Sequence, residues 1–404
     1  MMMEKCHYLI ALRMKQTKVL YILHQTILMG GGTKSFLIML KGLMEKGIQP
    51  IVAMPNRDGV YATIETMQIP TIVVPYFDHT YPWVHSAKDV ILFIPRIVRH
   101  RTMNWIAVRK IAKAVSGMGV SLVHTNVSVC AVGYVVSRKL GVPHIYHIRE
   151  YADLDHGLHF FPTRRSYLRQ LAAPCSYNIC ITKDIQRHFQ QTGHAASRVI
   201  YNGIQAAVHD MPTSPKEHFF LYAGRVIASK GVMEMTEAYY AYLQQAQVPI
   251  PLYIIGEQPD KVFYERLTAY LHQHHIEQYV KFFGQRSDIQ DFMARALAII
   301  IPSPKEGFGR CMPEAMFCGC LAIGHNTGGT REQLDNGLEL TGGEIALRYD
   351  TNEQLTHLLH EVGTRPTNDY TSYVQRAFYA VNQLYTTESN VEGVYDFYRQ
   401  IIHQ

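Results

Sequence analysis

Two acidic residues eight positions apart carry the most specific chemical signal in the chain. They are Glu306 and Glu314, in the run Glu306-Gly-Phe-Gly-Arg-Cys-Met-Pro-Glu314. The run follows an apolar strand, Leu297 to Ile301. Gly307 and Gly309 make a close-approach turn, and Pro313 stands early in the helix that carries Glu314. One carboxylate is thus on a loop and the other on a helix. Such a pair accepts hydrogen bonds from different sugar hydroxyls, and the N–H groups between them take a phosphate. A second signal is Ala223-Gly224-Arg225, with Lys230-Gly231 five residues later, just before a helix. Two cations at a strand's carboxyl end suit a diphosphate, although a solvated loop fits them equally well. The third is Gly30-Gly31-Gly32-Thr33-Lys34-Ser35, after the first strand and opening a helix. Glycines there let a ligand reach the N–H groups of a helix start. The run is neither G-x-G-x-x-G nor G-x4-G-K-[S/T], and a plain strand-to-helix turn is the alternative.

The elements that must position these residues alternate strand and helix. Short apolar runs read as strands at Lys18 to His24, Pro50 to Met54, Thr71 to Val74, Ser121 to His124, His144 to His147, Tyr177 to Ile181 and Arg198 to Tyr201. Helical runs fall between them, such as Lys34 to Lys46 and Val127 to Leu140. After the Pro/Ser break Met211 to Lys216 the alternation restarts, with strands at His218 to Ala223, Pro251 to Ile255, Val280 to Phe283, Leu297 to Ile301 and Leu321 to Gly324. Buried strands separated by helices mean parallel sheets covered on both faces. The reading is two doubly wound α/β lobes, residues 1–210 and 211–385, then a terminal helix over Asn390 to Ile402. Ligands in such sheets sit at the carboxyl ends of the strands.

Composition removes several classes. The chain is 47% hydrophobic and 18% charged over 404 residues, which is globular rather than disordered. A net charge of +6 is too mild for wrapping nucleic acid, so no nucleic-acid partner is expected. No apolar run approaches the length of a membrane span. The start, Met1 to Met14, has too short an apolar patch for an export signal, and the seven cysteines read as reduced thiols of a cytoplasmic protein. The pair Cys318 and Cys320 lacks a second ligand pair for a metal. One stretch, 88–115, is apolar and basic together: Ile91 to Ile94, then Arg96, Arg99, Arg101, Trp105, Arg109, Lys110 and Lys113. It suits either a helix lying on an anionic membrane or an ordinary packed hairpin.

Glu306 to Glu314 is similar to the E-x7-E signature of retaining glycosyltransferases of family 4. The likeness continues through Glu314-Ala-Met-Phe-Cys-Gly-Cys320 and Thr327-Gly-Gly-Thr-Arg-Glu332. Ala223-Gly-Arg225 with Lys230-Gly231 resembles the family's donor-phosphate motif, Tyr201-Asn-Gly-Ile204 its lobe-ending motif, and Gly30 to Gly32 its Gly-Gly loop. The resemblance implies the GT-B fold, two facing Rossmann-like domains. The first would bind the acceptor and the second a nucleotide sugar, with a helix over 386–404 packing back on the first. It implies that Arg225 and Lys230 hold the donor diphosphate, with Gly224 beside them, and that Glu314 binds the ribose and Glu306 the transferred sugar. Gly307, Phe308, Gly309 and Arg310 would add phosphate contacts, Gly31 and Gly32 would close from the other lobe, and Gly284 would lie at the base. Arg310 departs from the aliphatic residue usual there. His147-Ile-Arg149-Glu150 resembles the family's H-x-R-E form, which puts His147 near the reacting centre and Arg149 and Glu150 at the acceptor. His124 and Asn126 are further candidates for that cleft.

The implied activity is retaining transfer of a hexose-type sugar from a nucleotide-diphosphate donor to a glycan or lipid-linked acceptor, in cell-surface polysaccharide or glycolipid assembly. No metal or other cofactor is expected, since no D-x-D pair is placed to hold one. The place implied is the cytoplasm or the inner face of the cell membrane. A GT-B sugar-nucleotide 2-epimerase and a catalytically silent sugar-nucleotide-binding partner remain open alternatives. A dinucleotide dehydrogenase lacks its fingerprint.

Overall fold

The structure is a computed structural model that describes residues 17–27, 30–82, 84 and 86–402. The start at Met1 to Met14 lies outside the described residues. The chain divides into two compact units. The first runs to Gly203 and takes in the segment from Thr387; the second is Ile204–Thr386.

The first unit is built on seven strands: β1 (Lys18–Ile22), β2 (Gln49–Met54), β3 (Thr71–Val73), β4 (Val120–Thr125), β5 (His144–Ile148), β6 (Ser176–Cys180) and β7 (Ser197–Val199). Their order is β3-β2-β1-β4-β5-β6-β7, and every pairing is parallel. The order reverses between β1 and β4, which opens a crevice beyond their carboxyl ends. Strands buried on both faces need helices on both. The helix Gly31–Glu45 supplies Phe36, Met39, Leu40 and Leu43 at helical spacing. The last helix, Thr387–Ile402, sends Val391, Val394, Phe397, Tyr398 and Ile401 into the same core. A Cβ on Gly42 would stand 2.4 Å from Val391, so a glycine there lets the two helices touch.

The second unit has six strands: β8 (Phe220–Ala223), β9 (Leu252–Ile255), β10 (Val280–Gly284), β11 (Ala298–Ile301), β12 (Ala322–His325) and β13 (Leu347–Tyr349). Their order is β10-β9-β8-β11-β12-β13, again all parallel, with the reversal between β8 and β11.

Three local differences from the sequence reading have physical causes. The break at Met211 to Lys216 lies inside the second unit. The chain already joins that unit at Ile204, whose N–H donates to the carbonyl of Tyr385 at 2.9 Å. The first helix begins at Gly31, because the N–H of Lys34 donates to the carbonyl of Gly30; Gly31 and Gly32 form its first turn rather than a loop. The helix expected from Val127 begins at Val132, since the N–H of Asn126 is taken by the carbonyl of Ile22 and holds that segment to the sheet end.

Candidate functional site

In the second unit the carboxyl ends of β8 and β11 bring distant residues together. After β8 the chain passes Gly224 and an exposed Arg225 into a short 3-10 turn, Ala228–Lys230. Gly231 closes that turn at φ +68°, and a Cβ there would stand 2.2 Å from the carbonyl oxygen of Pro302, just past β11. This close approach puts Lys230 over the β11 loop, where its Nζ lies 2.6 Å from Oε1 of Glu306. The two side chains are 22% and 17% exposed, so the pair is half-buried and still open to a ligand. Arg225 makes no ion pair among the described residues.

The loop from Glu306 is held from behind. The N–H of Gly329 donates to the carbonyl of Glu306 at 2.7 Å, and Gln333 donates to the carbonyl of Phe308 at 2.6 Å. A Cβ on Gly329 would come within 2.8 Å of Gly307 and Phe308 backbone atoms, so only glycine lets the helix Gly328–Thr341 seat the loop. Phe308 is buried edge-on against Tyr385. Gly309, at φ +78°, turns the chain into the helix Cys311–Phe317. There Glu314 accepts from Arg310 at 3.1 Å, which gives the atypical arginine a partner one helical turn from the carboxylate. Cys311 stands among these groups. Burial, then Glu314 and Glu306, push its thiol up to about 12, so it is a neutral thiol rather than a nucleophile. Gly284 ends β10 at φ +64° with open space where a Cβ would be.

The first unit gathers the other group of residues. Tyr21 and His124 are register partners on β1 and β4, and His147 lies one strand further on β5. All three are fully enclosed. His124 Nδ1 bonds the hydroxyl of Tyr398, and its Nε2 lies 3.2 Å from His147 Nδ1. Arg149, half-buried at the end of β5, spreads over several acceptors. Its Nε donates to Asn126 at 2.9 Å and its Nη1 to Asn202 at 2.6 Å, while its Nη2 lies 3.2 Å from His147 Nδ1. A Cβ on Gly32 would sit 3.8 Å from Cδ of Arg149, which places the first helix's start beside it. Glu150 lies 3.3 Å from His156.

This arrangement corrects two expectations. His124 does not face an acceptor: both ring nitrogens are occupied inside the core. His147 has no exposed surface from which to reach a reacting centre. Arg149 is the member of this group with open surface. Sequence reasoning missed Tyr398, which lies 274 residues from His124 and carries no local signal.

Burial holds these histidines neutral. It drives His124 and His147 well below the usual histidine range, with Arg149 adding to the effect, and pushes His144 down to about 3. A folded pKa below the unfolded one means that the unfolded chain binds the extra protons. Stability is therefore present above pH ~6.5 and is lost as the pH falls below it. Three such groups give a slope of up to about 4 kcal/mol per pH unit, at about 1.4 each. Asp78 and Asp155, whose burial raises their pKa, act oppositely as the carboxylate range is approached. The melting temperature should drop steeply between pH 6.5 and 5.5; a flat profile would show that the histidines are not held as described.

Two surface features flank this unit. The helix Phe93–Val115 buries Ala107, Val108, Ile111 and Val115, and tolerates Pro95 in its first turn. Its other side exposes Ile94, Val98 and Trp105, continuing from Val90 and Ile91 on the helix Ala87–Ile91. Arg109 lies 3.6 Å over the ring of Trp105. Next to this stripe is a cavity of about 800 Å³ lined by Tyr81, Pro82, Val84, Phe93, Leu158 and Phe160, with Asp153 and Arg164 among its polar groups. Among the described residues no helix is long and apolar enough to cross a membrane.

Residues 29–208 match the family model described as Glycosyltransferase Family 4, and residues 207–362 match that of Glycosyl transferases group 1. The chain belongs to glycosyltransferase family 4. The glycosyltransferase is 22% identical, over 336 residues, to an uncharacterised glycosyltransferase of Methanocaldococcus jannaschii, covering 80% of this chain and 91% of the relative. Its fold is similar to that of the Anabaena protein HepE solved with UDP. The TM-score is 0.74 at 19% identity, over 95% of this chain and 100% of that one. A glycosyltransferase from Rickettsia africae gives a TM-score of 0.73 at 16% identity, over 96% and 98%. The glycosyltransferase thus has the GT-B fold, and its activity is sugar transfer.

Proposed function

We propose that this glycosyltransferase moves a hexose-type sugar, with retention of anomeric configuration, from a nucleotide-diphosphate donor to a hydroxyl of a glycan or lipid-linked acceptor. The observation that carries the reading is the Lys230–Glu306 pair at the ends of β8 and β11, with Arg225 exposed beside it. A diphosphate is a better partner for Lys230 than one carboxylate, because it offers more charge and more acceptors. On donor binding Lys230 and Arg225 take the diphosphate, and Glu306 is released to accept from hydroxyls of the transferred sugar. Glu314, one helical turn from Arg310, accepts from the ribose. Gly307, Phe308 and Gly309 supply backbone at the phosphates, and Gly284 leaves room for the base. The structures of Anabaena HepE with UDP and with UDP-glucose support a nucleotide-sugar donor.

Chemistry at this site is chiefly stabilisation of the departing diphosphate by fixed cations and dipoles. The acceptor hydroxyl attacks from the leaving group's side and gives its proton to a donor phosphate oxygen. The anomeric bond to the diphosphate breaks as the bond to the acceptor oxygen forms. Lys230 and Arg225 carry the charge on the leaving group, so the reading takes no metal or other cofactor. The first unit supplies the acceptor side through Arg149, Asn126 and Glu150, with Gly31 and Gly32 at the adjoining helix start. The anomeric configuration of the product, read by NMR coupling, tests retention: inversion would overturn the reading.

The setting proposed is cell-surface polysaccharide or glycolipid assembly at the inner face of the cell membrane. The exposed apolar stripe with its arginines and lysines fits an anionic lipid surface, and the neighbouring cavity fits the apolar part of a lipid-linked acceptor. The protein should pellet with anionic vesicles and not with neutral ones. An Ile91→Asp/Ile94→Asp variant should lose most of that binding; equal pelleting of both proteins would remove the membrane role.

A further inference from the structure

Arg149 is a cation held by acceptors that are themselves set in place from the core. A guanidinium only donates, so the lone pair of His147 Nδ1 must face it, and the hydrogen of His147 is on Nε2. His124 Nε2 faces the same bare Nδ1 at 3.2 Å, so the hydrogen of His124 is on Nε2 and its Nδ1 is bare. The Tyr398 hydroxyl therefore donates to His124 Nδ1. Its single proton is then spent, so the hydroxyls must turn: the 3.2 Å contact, in which Tyr398 otherwise donates to Tyr21, takes its hydrogen from Tyr21 instead. One tautomer assignment fits every contact in the line, with His147 Nδ1 shared by two donors and the buried Nε2–H of His147 left without a partner among the described residues.

We propose that Tyr398, on the C-terminal helix, is a positioning residue that fixes the tautomers of His124 and His147 and thereby the seat of Arg149. Without the Tyr398 hydroxyl, His124 is free to carry its hydrogen on Nδ1. Two bare ring nitrogens then face each other at His147, and the imidazole turns away from Arg149. The C-terminal helix, which packs against the helix Gly31–Glu45 in the same core, thus reaches the acceptor-side arginine through three side chains, Tyr398, His124 and His147. The value of this to transfer rests on the acceptor role proposed for Arg149; the tautomer line itself does not.

The test is nitrogen-15 NMR of the full chain, with the His124 and His147 signals assigned by their loss in single variants. Both histidines should be neutral Nε2–H tautomers at pH 7. In Tyr398→Phe, His124 should populate the Nδ1–H form, and hydrogen exchange at Arg149 Nη2 should speed up about tenfold, the loss of one charge-assisted hydrogen bond. His147→Asn keeps an acceptor oxygen and should preserve slow exchange at Arg149, whereas His147→Leu should not. A wild-type His147 with its hydrogen on Nδ1, or a Tyr398→Phe protein with unchanged His124 and Arg149 signals, overturns the proposal. If Tyr398→Phe does not fold, the wild-type tautomers and the His147 pair decide. Arg149→Ala with normal transfer would count against the acceptor reading and leave the tautomer line standing.

Discussion

Replacing Lys230 with alanine should lower the turnover of sugar transfer by about 100- to 1,000-fold, the usual cost of removing one fixed charge donor from a developing anion. The fold should survive, because a half-exposed ion pair contributes no more than about 1 kcal/mol. The loss should appear in kcat and in donor affinity together, since Lys230 is proposed to hold the diphosphate both before and during departure. Glu306 would also be left 17% exposed without its cation, facing the donor's own negative charge. Lys230→Ala with near-normal transfer would remove the donor-phosphate assignment. Normal thermal stability in the same preparation is the control that separates lost chemistry from lost structure.

The second large effect is on stability. Gly231→Ala forces an L side chain to φ +68° and drives its Cβ to 2.2 Å from the carbonyl oxygen of Pro302. The left-handed backbone costs about 1–2 kcal/mol and the backbone displacement about 1–3 more. Urea unfolding should show a loss of about 2–5 kcal/mol in the transition of the second unit. Gly342→Ala is the matched control: its φ is +71°, but nothing lies within 4 Å of the added Cβ. It should lose only what the left-handed backbone costs, about 1–2 kcal/mol. Equal losses in the two variants would mean that β11 and the Lys230 turn are not packed as described. A selective loss should also weaken donor binding, because the same contact carries Lys230 to Glu306.

Most of the fold and the residues proposed for the donor could be read along the chain, because both are written in short, local spacings. β8 and β11 are apolar runs with glycine-rich turns at their carboxyl ends. Glu306 and Glu314 lie on one loop and its helix, so their spacing survives folding. The family resemblance drawn from them stands. β13 escaped notice because it has only three residues, too few for the alternation Leu347-Arg348-Tyr349 to stand out as a strand. The unit boundary was misplaced because Pro212 and Pro215 are louder in sequence than the hydrogen bond from Ile204 to Tyr385 that sets it. The acceptor side was harder for a related reason. His124 and His147 end strands, as ligand-contacting residues often do, yet their alternation turns them toward the core with Tyr21 and Ile145. What they hold there, Arg149, is decided by Asn202 and Tyr398, residues 53 and 249 positions further along the chain. No window of sequence contains that constellation.

The donor site is tested most directly by thermal shift with a panel of UDP-, GDP- and ADP-sugars, on the wild type and on Lys230→Ala. A ligand present at 100 times its dissociation constant stabilises the state that binds it by about 2.7 kcal/mol, which a melting curve resolves. At least one nucleotide-diphosphate sugar should raise the wild-type melting temperature by several degrees, and Lys230→Ala should lose most of that shift. No shift with any member of the panel, or the same shift in both proteins, would contradict a donor diphosphate held at Lys230.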